Sequence, residues 1–366
     1  MVCTRKTKAI AAAATAASSY YGGFNATAPT STPVPSATSG SFAGGAAPMA
    51  AAVAPDNNKA ASVAAVSAAN SGIKGFNYGA FFLDQQAKVQ NDFEYEFTKA
   101  QNLINTAGWN SARLYTTVQH GTATDPISAI PAAIATKTTL LLGMWVSGST
   151  TAIDNEITAL KTAIATYGSA FTDLVVGLSV GSEDLYRASL GDALSPGVDA
   201  EELIGYINKV RQALVGTPLA GIPVGHVDTY DSFENGTNTA VIDAIDFIGF
   251  DGYPYWEKEN ANSIEAAYDL FYTGLNKTQA ISKGKPVYVT ETGWPIVGDN
   301  QGQAVAGPEN ARIYWQDIAC TLVAANINLW WYDLQESQNG QAKPDFGIFP
   351  AGDLNQVQQS YDLSCP

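Results

Sequence analysis

The chain has 366 residues, with 34 acidic and 19 basic side chains and a formal net charge of −15. This charge repels polyanions, which excludes nucleic acid as the expected partner and favours a neutral ligand. The 17 Tyr and seven Trp residues are able to stack on flat apolar ligand surfaces, although aromatic side chains also fill ordinary cores.

The first 70 residues differ in composition from the rest. Residues 1–22 begin MVCTRKTKAIAAAATAA, where three basic residues precede a run of small apolar ones, which is the outline of a secretory signal peptide. Residues 23–70 are rich in Ala, Ser, Thr, Gly and Pro and lack the large apolar side chains of a core, so we expect a disordered linker. The remainder, 71–366, has the length of one folded domain.

Short apolar runs alternate with longer amphipathic segments along this domain. The runs predict eight strands, at 75–81, 111–117, 139–146, 173–181, 222–230, 246–253, 285–292 and 328–335. The longer segments predict helices at 91–108, 152–168, 198–214, 263–281 and 308–325. Eight strands, each followed by a helix, predict an α/β domain with the (β/α)₈ TIM-barrel fold. An open doubly wound sheet requires a Gly-rich phosphate turn after its first strand, and GFNYGAFFLD is not one.

Polar side chains lie at the C-terminal ends of these predicted strands, where TIM barrels carry their functional residues. They are Arg113, Tyr115, Glu183, Asp184, His226, Asp228, Asp251, Tyr253, Glu291 and Asp333. We therefore expect the site to lie at this rim of the barrel.

The segment GLSVG formally matches the G-x-S-x-G motif of serine hydrolases, which makes Ser179 one candidate nucleophile. That chemistry needs a sharp strand-to-helix turn at the Ser and an acid and a His further along the chain. Ser179 instead lies inside an apolar run, and His226 is the only downstream His. We interpret Ser179 as a small residue of the barrel lumen and keep a Ser179 esterase as an alternative.

Glu183 and Glu291 form the competing candidate site. Strand alternation places Glu183 on the face of Gly177, Ser179 and Gly181, and it places Glu291 on the face of Val287 and Val289. Two carboxyls would then rise from the fourth and seventh strands into one cleft. Such a pair suits cleavage of a glycosidic bond, with one carboxyl protonated and the other ionised. The alternative is that each Glu caps a strand or pairs with Arg113 or Arg187.

Five motifs together resemble the fungal branch of glycoside hydrolase family 17, which comprises β-1,3-glucanases and glucanosyltransferases of the cell wall. They are VGSEDLYR, VTETGWP, RLYTT, GFNYG and FDGYPYW, and the resemblance covers 73–366. It implies a retaining (β/α)₈ enzyme in which Glu183 is the acid/base and Glu291 the nucleophile. It also implies β-1,3-glucan as the polysaccharide substrate and a secreted, extracellular location at the cell wall.

Several alternatives remain open at this point. Endo-hydrolysis, exo-hydrolysis and glucanosyl transfer would use the same two Glu residues, and a wall protein that binds glucan without cleaving it is a different class of function. No cofactor is implied. We expect no metal site, because the chain has no short-spaced Cys pair, His cluster or H-E-x-x-H motif. We expect a monomer.

Supporting roles follow from the chemistry of the neighbouring motifs. Arg113 and Tyr253 are expected to hold Glu291 ionised and oriented. Ser182 stands where many members of the wider clan have an Asn that contacts the sugar, and Asp184 is expected either to bond near the acid or to cap a helix. Candidates for stacking on glucose rings, each with core packing as the alternative, are Tyr78, Tyr115, Trp294 and Trp331.

The cysteines and the glycosylation sequons are both consistent with secretion of the protein. Removal of a signal peptide would remove Cys3 and leave Cys320 and Cys365, for which a disulfide is expected and two unpaired thiols are the alternative. Glycosylation sequons occur at Asn25, Asn235 and Asn276. No run of 18 strongly apolar residues is present, so we expect no transmembrane segment.

Overall fold

The computed structural model describes residues 72–191 and 196–366. The signal peptide and linker predicted for 1–70, with Asn25, lie outside the described residues.

Eight parallel strands pair in chain order and close into a barrel, which confirms the TIM-barrel prediction. The strands are β1 Lys74–Tyr78, β2 Ser111–Leu114, β3 Thr139–Met144, β4 Val175–Ser182, β5 Val224–Thr229, β6 Ile248–Asp251, β7 Val287–Glu291 and β8 Leu329–Trp331.

Helices on the outside of the barrel connect the strands. They are α1 Gln90–Gln101, α2 Ala129–Thr136, α3 Ala152–Tyr167, α4 Ser169–Thr172, α5 Asp184–Leu190, α6 Ala200–Leu214, α7 Tyr230–Glu234, α8 Thr239–Ala244, α9 Ile264–Ile281, α10 Pro308–Tyr314 and α11 Cys320–Ala324. A π-helical turn, Trp315–Ala319, joins α10 to α11 within the long helix predicted for this region. The sequence AIPAAIAT of α2 is almost entirely apolar, so it lacks the periodicity that predicts a helix.

Two apolar clusters fill the molecule. A small cluster of Leu141, Phe247 and Trp330, with Tyr288 packed against it, brings together side chains from strands around the barrel. A large cluster combines strand residues with residues of the surrounding helices. This packing requires glycine in the strands beside the large rings. A Cβ on Gly225, for example, would lie only 2.5 Å from the ring of Phe247.

The expected alternation in β7 is wrong at its C-terminal end. Phe250 pairs with Val289, but the next residue of β6, Asp251, pairs with Glu291, so the ladder skips Thr290. Adjacent strand residues point to opposite faces, and paired residues point to the same one. Glu291 therefore shares the face of Asp251 and not that of Val289, because of a local irregularity that period-two reasoning does not include.

A disulfide ties the C-terminal tail to the last helix. Cys320 at the start of α11 is bonded to Cys365. Beside it, the indole of Trp315 donates a hydrogen bond of 3.0 Å to the carbonyl of Leu363. The tail is thus held to the outside of the barrel by both covalent and polar contacts.

The surface carries the remaining sequence features. Asn235 and Asn276 are both exposed, Asn235 before a 3₁₀ turn and Asn276 on α9. Within 72–191 and 196–366, no helix combines the length and the apolar character needed to span a bilayer.

Candidate active site

Glu183 follows β4 in a turn that the local sequence specifies. Its backbone has a positive φ of 54°, and its N–H donates to the carbonyl of Val227 at 2.8 Å. Gly181 has a φ of 77°, and a Cβ there would collide with the carboxyl of Asp184. Only glycine fits at that position, so the VGSED sequence turns the chain directly from the strand into α5.

Asp184 holds this turn together. Its carboxyl accepts hydrogen bonds from the N–H of Ser182 at 2.7 Å, from the hydroxyl of Ser147 and from the guanidinium of Arg187 at 3.1 Å. The side chain is fully buried. Asp184 therefore bonds next to the proposed acid and positions Glu183 through the backbone, which is the first of the two roles expected of it, and its side chain does not cap the helix.

Asp228 supplies the helix cap that was expected of Asp184. Its Oδ2 atom accepts from the N–H groups of Leu185 at 3.0 Å and Tyr186 at 3.4 Å, in the first turn of α5. The ring of His226 lies 3.0 Å from the same oxygen. A carboxylate at this place stabilises the free N–H groups of the helix start.

Glu291, the last residue of β7, is surrounded by hydrogen-bond donors. Its Oε1 atom accepts from Arg113 at 2.5 Å and from the hydroxyl of Tyr115 at 2.7 Å, and its Oε2 atom accepts from the hydroxyl of Tyr253 at 2.8 Å. Three donors directed at one carboxylate favour and orient the ionised form.

Arg113 is itself fixed by a network that reaches three strands. It is fully buried, and it donates to Asn77 at 2.7 Å and to the hydroxyl of Ser182 at 3.0 Å. The guanidinium also lies over the ring of Tyr115, 4.6 Å from its centroid. Ser182, expected to contact sugar, accepts this bond from Arg113 and so links the end of β4 to β2.

One carboxyl oxygen from each of Glu183, Asp251 and Glu291 lies within 4.8 Å of the corresponding oxygens of the other two. The two Glu side chains are 4% and 3% exposed, so both are almost entirely removed from water. Barrel closure thus brings together two carboxyls that are more than one hundred residues apart in the chain.

The two Glu residues have different electrostatic surroundings. Burial and the nearby charge of Glu291 raise the pKa of Glu183 to about 8. Its Oε2 atom has no hydrogen-bond partner among the described residues. Glu183 therefore carries a proton near neutral pH, whereas Glu291 has Arg113 and two phenols to stabilise its charge.

Asp251 is a third carboxyl that the sequence prediction left out of the site. It lies at the end of β6, where Thr290 donates to its Oδ1 atom at 2.7 Å. Burial and the charge of Glu291 raise its pKa well above the ordinary value. Its position after a strand was a signal, but its proximity to Glu291 depends on the skipped residue in β7.

Among the described residues, these three carboxyls are the group close enough to share a metal ion. The surroundings of these carboxyls do not favour a bound metal ion. Arg113 already neutralises Glu291, and burial favours the neutral forms of Glu183 and Asp251, which are poor ligands for a cation.

The rings of the four expected stacking residues pack against other side chains of this protein. Trp294 and Trp331 are 0% exposed, and their rings pack against the buried ring of Tyr314, so neither offers a face to a sugar. Tyr115 uses its hydroxyl on Glu291 and its ring on Arg113. Tyr78 is buried, with its ring edge-on to Phe97. Core packing, the alternative for each, takes precedence because large aromatic rings contribute most when fully buried.

The Ser179 hypothesis is wrong. The hydroxyl is buried and lies 3.5 Å from the carbonyl of Leu142. The ring nitrogens of His226 instead bond to the Val180 carbonyl and to Asp228. Ser179 therefore has no His to activate it, as a serine nucleophile requires.

Asn77 is the other residue that sequence reasoning missed. Besides accepting from Arg113, its amide donates to the carbonyls of Thr290 and Trp330 at 3.0 Å each. It thereby joins β1, β2, β7 and β8 beneath Glu291. Asn77 lies within the GFNYG motif, which could have marked it as a candidate site residue. The neighbouring sequence does not indicate its hydrogen-bond partners.

The chain matches a known protein family over most of its described residues. The family profile of the BtgE/BtgC glycoside hydrolase domain matches residues 75–346. The chain belongs to this family. The BtgE/BtgC glycoside hydrolase domain thus covers the barrel strands, except the first residue of β1, and both Glu residues.

Curated relatives of this glycoside hydrolase are identical to it at about half of the aligned residues. The "Probable glucan endo-1,3-beta-glucosidase eglC" of Aspergillus oryzae is 50% identical over 295 residues, which cover 80% of this chain and 63% of that protein. The protein of the same name from Emericella nidulans is 52% identical over 296 residues, covering 80% and 62%. The chain therefore matches less than two thirds of the length of these relatives.

Solved structures confirm the predicted resemblance to glycoside hydrolase family 17. The family 17 β-1,3-glucanosyltransferase from Rhizomucor miehei is 26% identical, with a TM-score of 0.64, and the match covers 81% of this chain and 99% of that one. An endo-laminarinase from Formosa shares the fold, at 16% identity and a TM-score of 0.58, with 76% and 84% covered.

Proposed function

We propose that this domain hydrolyses β-1,3-glucan as a retaining, endo-acting glucosidase. The observation that carries the proposal is the separation of less than 4.8 Å between carboxyl oxygens of Glu183 and Glu291. Retaining glycosidases place the two carboxyls about 5 to 5.5 Å apart, whereas inverting ones leave about 6.5 to 9.5 Å for a water molecule. The names of the Aspergillus relatives support β-1,3-glucan as the substrate.

The reaction proceeds in two displacements. The Glu291 carboxylate attacks the anomeric carbon, the glycosidic bond breaks, and Glu183 gives its proton to the departing sugar oxygen. Glu183, now ionised, then takes a proton from water, and the resulting hydroxide displaces Glu291 from the anomeric carbon. Both side chains return to their starting protonation states, and the product keeps the original configuration.

Two variants separate these roles. Glu291→Gln is expected to abolish turnover of β-1,3-gluco-oligomers and of an aryl β-glucoside. Glu183→Gln is expected to abolish turnover of the oligomers but to retain a burst of nitrophenol release, since this leaving group departs without a proton while the second step still lacks its base. Rates would be measured by reducing-end and nitrophenol assays.

The control is Glu265→Gln, the same change at an exposed position on α9. Wild-type turnover of oligomers by either active-site variant removes that residue from the mechanism. A wild-type protein that binds glucan but never cleaves it supports the alternative of a non-catalytic wall protein.

Glucanosyl transfer is a second candidate, favoured by the similarity to the Rhizomucor miehei glucanosyltransferase. It uses the same intermediate, with a sugar hydroxyl in place of water. Mass spectrometry after incubation with a defined β-1,3-gluco-oligomer distinguishes the two, since products longer than the substrate appear only with transfer.

We also propose secretion to the cell wall and a monomeric state. The disulfide between Cys320 and Cys365 supports an oxidising compartment. The signal peptide at 1–22, the linker at 23–70, the catalytic domain at 71–366 and the glycosylation of Asn25, Asn235 and Asn276 stay predictions.

A further inference from the structure

The irregularity in β7 determines the direction in which Glu291 points. Val289 pairs with Phe250 and Glu291 pairs with Asp251, so Thr290 and Glu291 together oppose a single residue of β6. In an unbroken ladder Thr290 would pair with Asp251, and Glu291 would point to the opposite face of the sheet. It would then lie away from the three donors that contact its carboxylate. A contact that fixes the irregularity therefore also fixes the position of Glu291.

Thr290 makes such a contact through its side chain. Its hydroxyl donates a hydrogen bond of 2.7 Å to Asp251 Oδ1, and both residues are buried. The extra residue of an irregularity of this kind is left unpaired in the backbone ladder. The side-chain bond thus joins β7 to β6 at the point where the ladder is interrupted, and its acceptor belongs to the residue that Thr290 and Glu291 both oppose.

The neighbouring strands leave room for this side chain and hold its backbone. A Cβ on Gly249 of β6 would lie 2.8 Å from Thr290 Oγ1 and 2.5 Å from the side chain of Val227, so only glycine fits there. From β1, the amide of Asn77 donates to the Thr290 carbonyl at 3.0 Å. Residues of β1 and β6 therefore both favour the irregular conformation of β7.

Asp251 occupies a position that is unfavourable for a carboxyl. It is 3% exposed, and its Oδ2 atom has no hydrogen-bond partner among the described residues. One of its oxygens also lies within 4.8 Å of an oxygen of Glu183 and of Glu291. A buried acceptor without a donor destabilises the folded state, so its presence calls for an explanation. The bond that Oδ1 accepts from Thr290 gives this carboxyl a role other than proton transfer.

We propose that Thr290 and Asp251 are positioning residues, whose hydrogen bond fixes the irregularity of β7 and thereby directs the Glu291 carboxylate at the anomeric carbon. The inference rests on the proposed function, in which Glu291 is the nucleophile. Both residues act through the placement of Glu291 and not through contact with the substrate.

Covalent labelling of Glu291 tests its placement directly. The reagent is a β-1,3-linked diglucosyl fluoride with a second fluorine in place of the 2-hydroxyl next to the anomeric carbon, which makes the glycosyl-enzyme long-lived. A Glu291 oxygen bonds to the anomeric carbon as fluoride departs without a proton, so mass spectrometry follows the first displacement alone. Thr290→Val removes the hydroxyl and keeps the shape. It is expected to lower the maximal labelling rate by roughly tenfold to hundredfold, since a small misplacement of a reacting group has effects of this size.

Thr290→Ser keeps the hydroxyl and should be labelled at close to the wild-type rate. Asp251→Ala removes the same bond from β6, so it should be as slow as Thr290→Val, and the double variant should be no slower than either. The reagent concentration that gives half-maximal labelling should stay unchanged, because the binding surface is not altered. Thr278→Val is the matched control, since this buried hydroxyl donates to the Gly274 carbonyl at 3.0 Å within α9.

Thermal melting checks that each variant is folded. A wild-type labelling rate in folded Thr290→Val overturns the inference, as does a Thr290→Ser variant that is as slow as Thr290→Val. Additive slowing in the double variant also overturns it. Where Thr290→Val does not fold, Asp251→Ala is compared with Asp251→Asn, which keeps an acceptor and should be labelled faster; equal rates for these two overturn the inference.

Failure of the proposed function has a different signature. A wild-type protein that is not labelled at Glu291 counts against the double displacement itself. A wild-type protein labelled at Glu291, with the same rate in Thr290→Val, counts against the positioning role alone.

Discussion

The contrast between Glu183 and Glu291 arises from a few side chains. Arg113, Tyr115 and Tyr253 all donate to Glu291, whereas Glu183 Oε2 has no donor among the described residues and lies in a buried position. The charge on Glu291 is therefore stabilised by direct donors, whereas burial raises the pKa of Glu183, an asymmetry that suits double displacement. This difference between the two Glu residues depends on individual hydrogen bonds. A substitution that removes a single hydroxyl group therefore tests it.

Tyr253→Phe removes one such atom. The variant loses the 2.8 Å bond to Glu291 Oε2 and keeps the ring. Because a hydrogen bond to a charged acceptor contributes about 1.5 to 3 kcal/mol, we expect kcat/KM on β-1,3-gluco-oligomers to fall by roughly tenfold or more. Tyr206→Phe is the matched control, since its hydroxyl donates to Glu202 at the surface of α6. Equal kinetics for both variants would show that the Tyr253 hydroxyl does not support Glu291.

At the scale of elements, short segments at strand ends determine where the carboxyls lie. The turn after β4 needs Gly181 for its conformation, Asp184 to hold its N–H groups and Asp228 to cap α5. On the other side, the skipped Thr290 turns Glu291 toward Asp251. The C-terminal tail differs from these segments, because a disulfide bond and not only hydrogen bonds holds it in place against α11.

Removal of that bond is expected to destabilise the domain. The disulfide closes a loop between residues 45 positions apart, and a loop of this size corresponds to about 4 kcal/mol of chain entropy in the unfolded state. The double variant Cys320→Ser, Cys365→Ser should therefore lose about 2 to 5 kcal/mol in urea unfolding. Unchanged unfolding midpoints in the double variant would contradict a stabilising role for the bond.

The described part of the molecule buries several carboxyls with raised pKa values. Burial is the largest cause for each: it raises the pKa of Glu156 to about 7, of Glu183 to about 8 and of Glu336 to about 8. The pKa values of Asp251 and Asp333 rise well above the ordinary range for the same reason. These groups hold protons in the folded state that the unfolded chain releases near its ordinary pKa of about 4.

Stability should therefore fall as pH rises. Between the unfolded pKa values of about 4 and the folded values near 7 to 8, the folded state binds more protons, so the free energy of unfolding decreases with pH. We expect Tm to be highest near pH 4 to 5 and to drop by about 5 °C or more by pH 8, measured by calorimetry. Glu156→Gln, outside the active site, should make this decline shallower. A Tm that is flat or rises over this range would contradict the expectation.

Much of the fold could be predicted because it depends on local patterns. All eight strands lie inside the predicted runs or within one residue of them, since buried parallel strands are short, apolar and bounded by polar turns. The helix α2 was missed because an Ala-rich segment has no polar face. Trp294 and Trp331 were misplaced because composition does not distinguish an aromatic residue at a cleft from one in a core.

The sequence by itself determined the order of strands and helices, the motifs at the strand ends and hence Glu183 and Glu291 as candidates. Only the tertiary structure decided which groups contact them: the 2.5 Å bond joins Arg113 to a residue 178 positions away, and Asn77 and Asp251 acquire their partners across the barrel. The physical reason is that periodicity and turn chemistry act over a few residues. Contacts between distant strands exist only once the barrel closes, and they shift with a single skipped residue in one ladder.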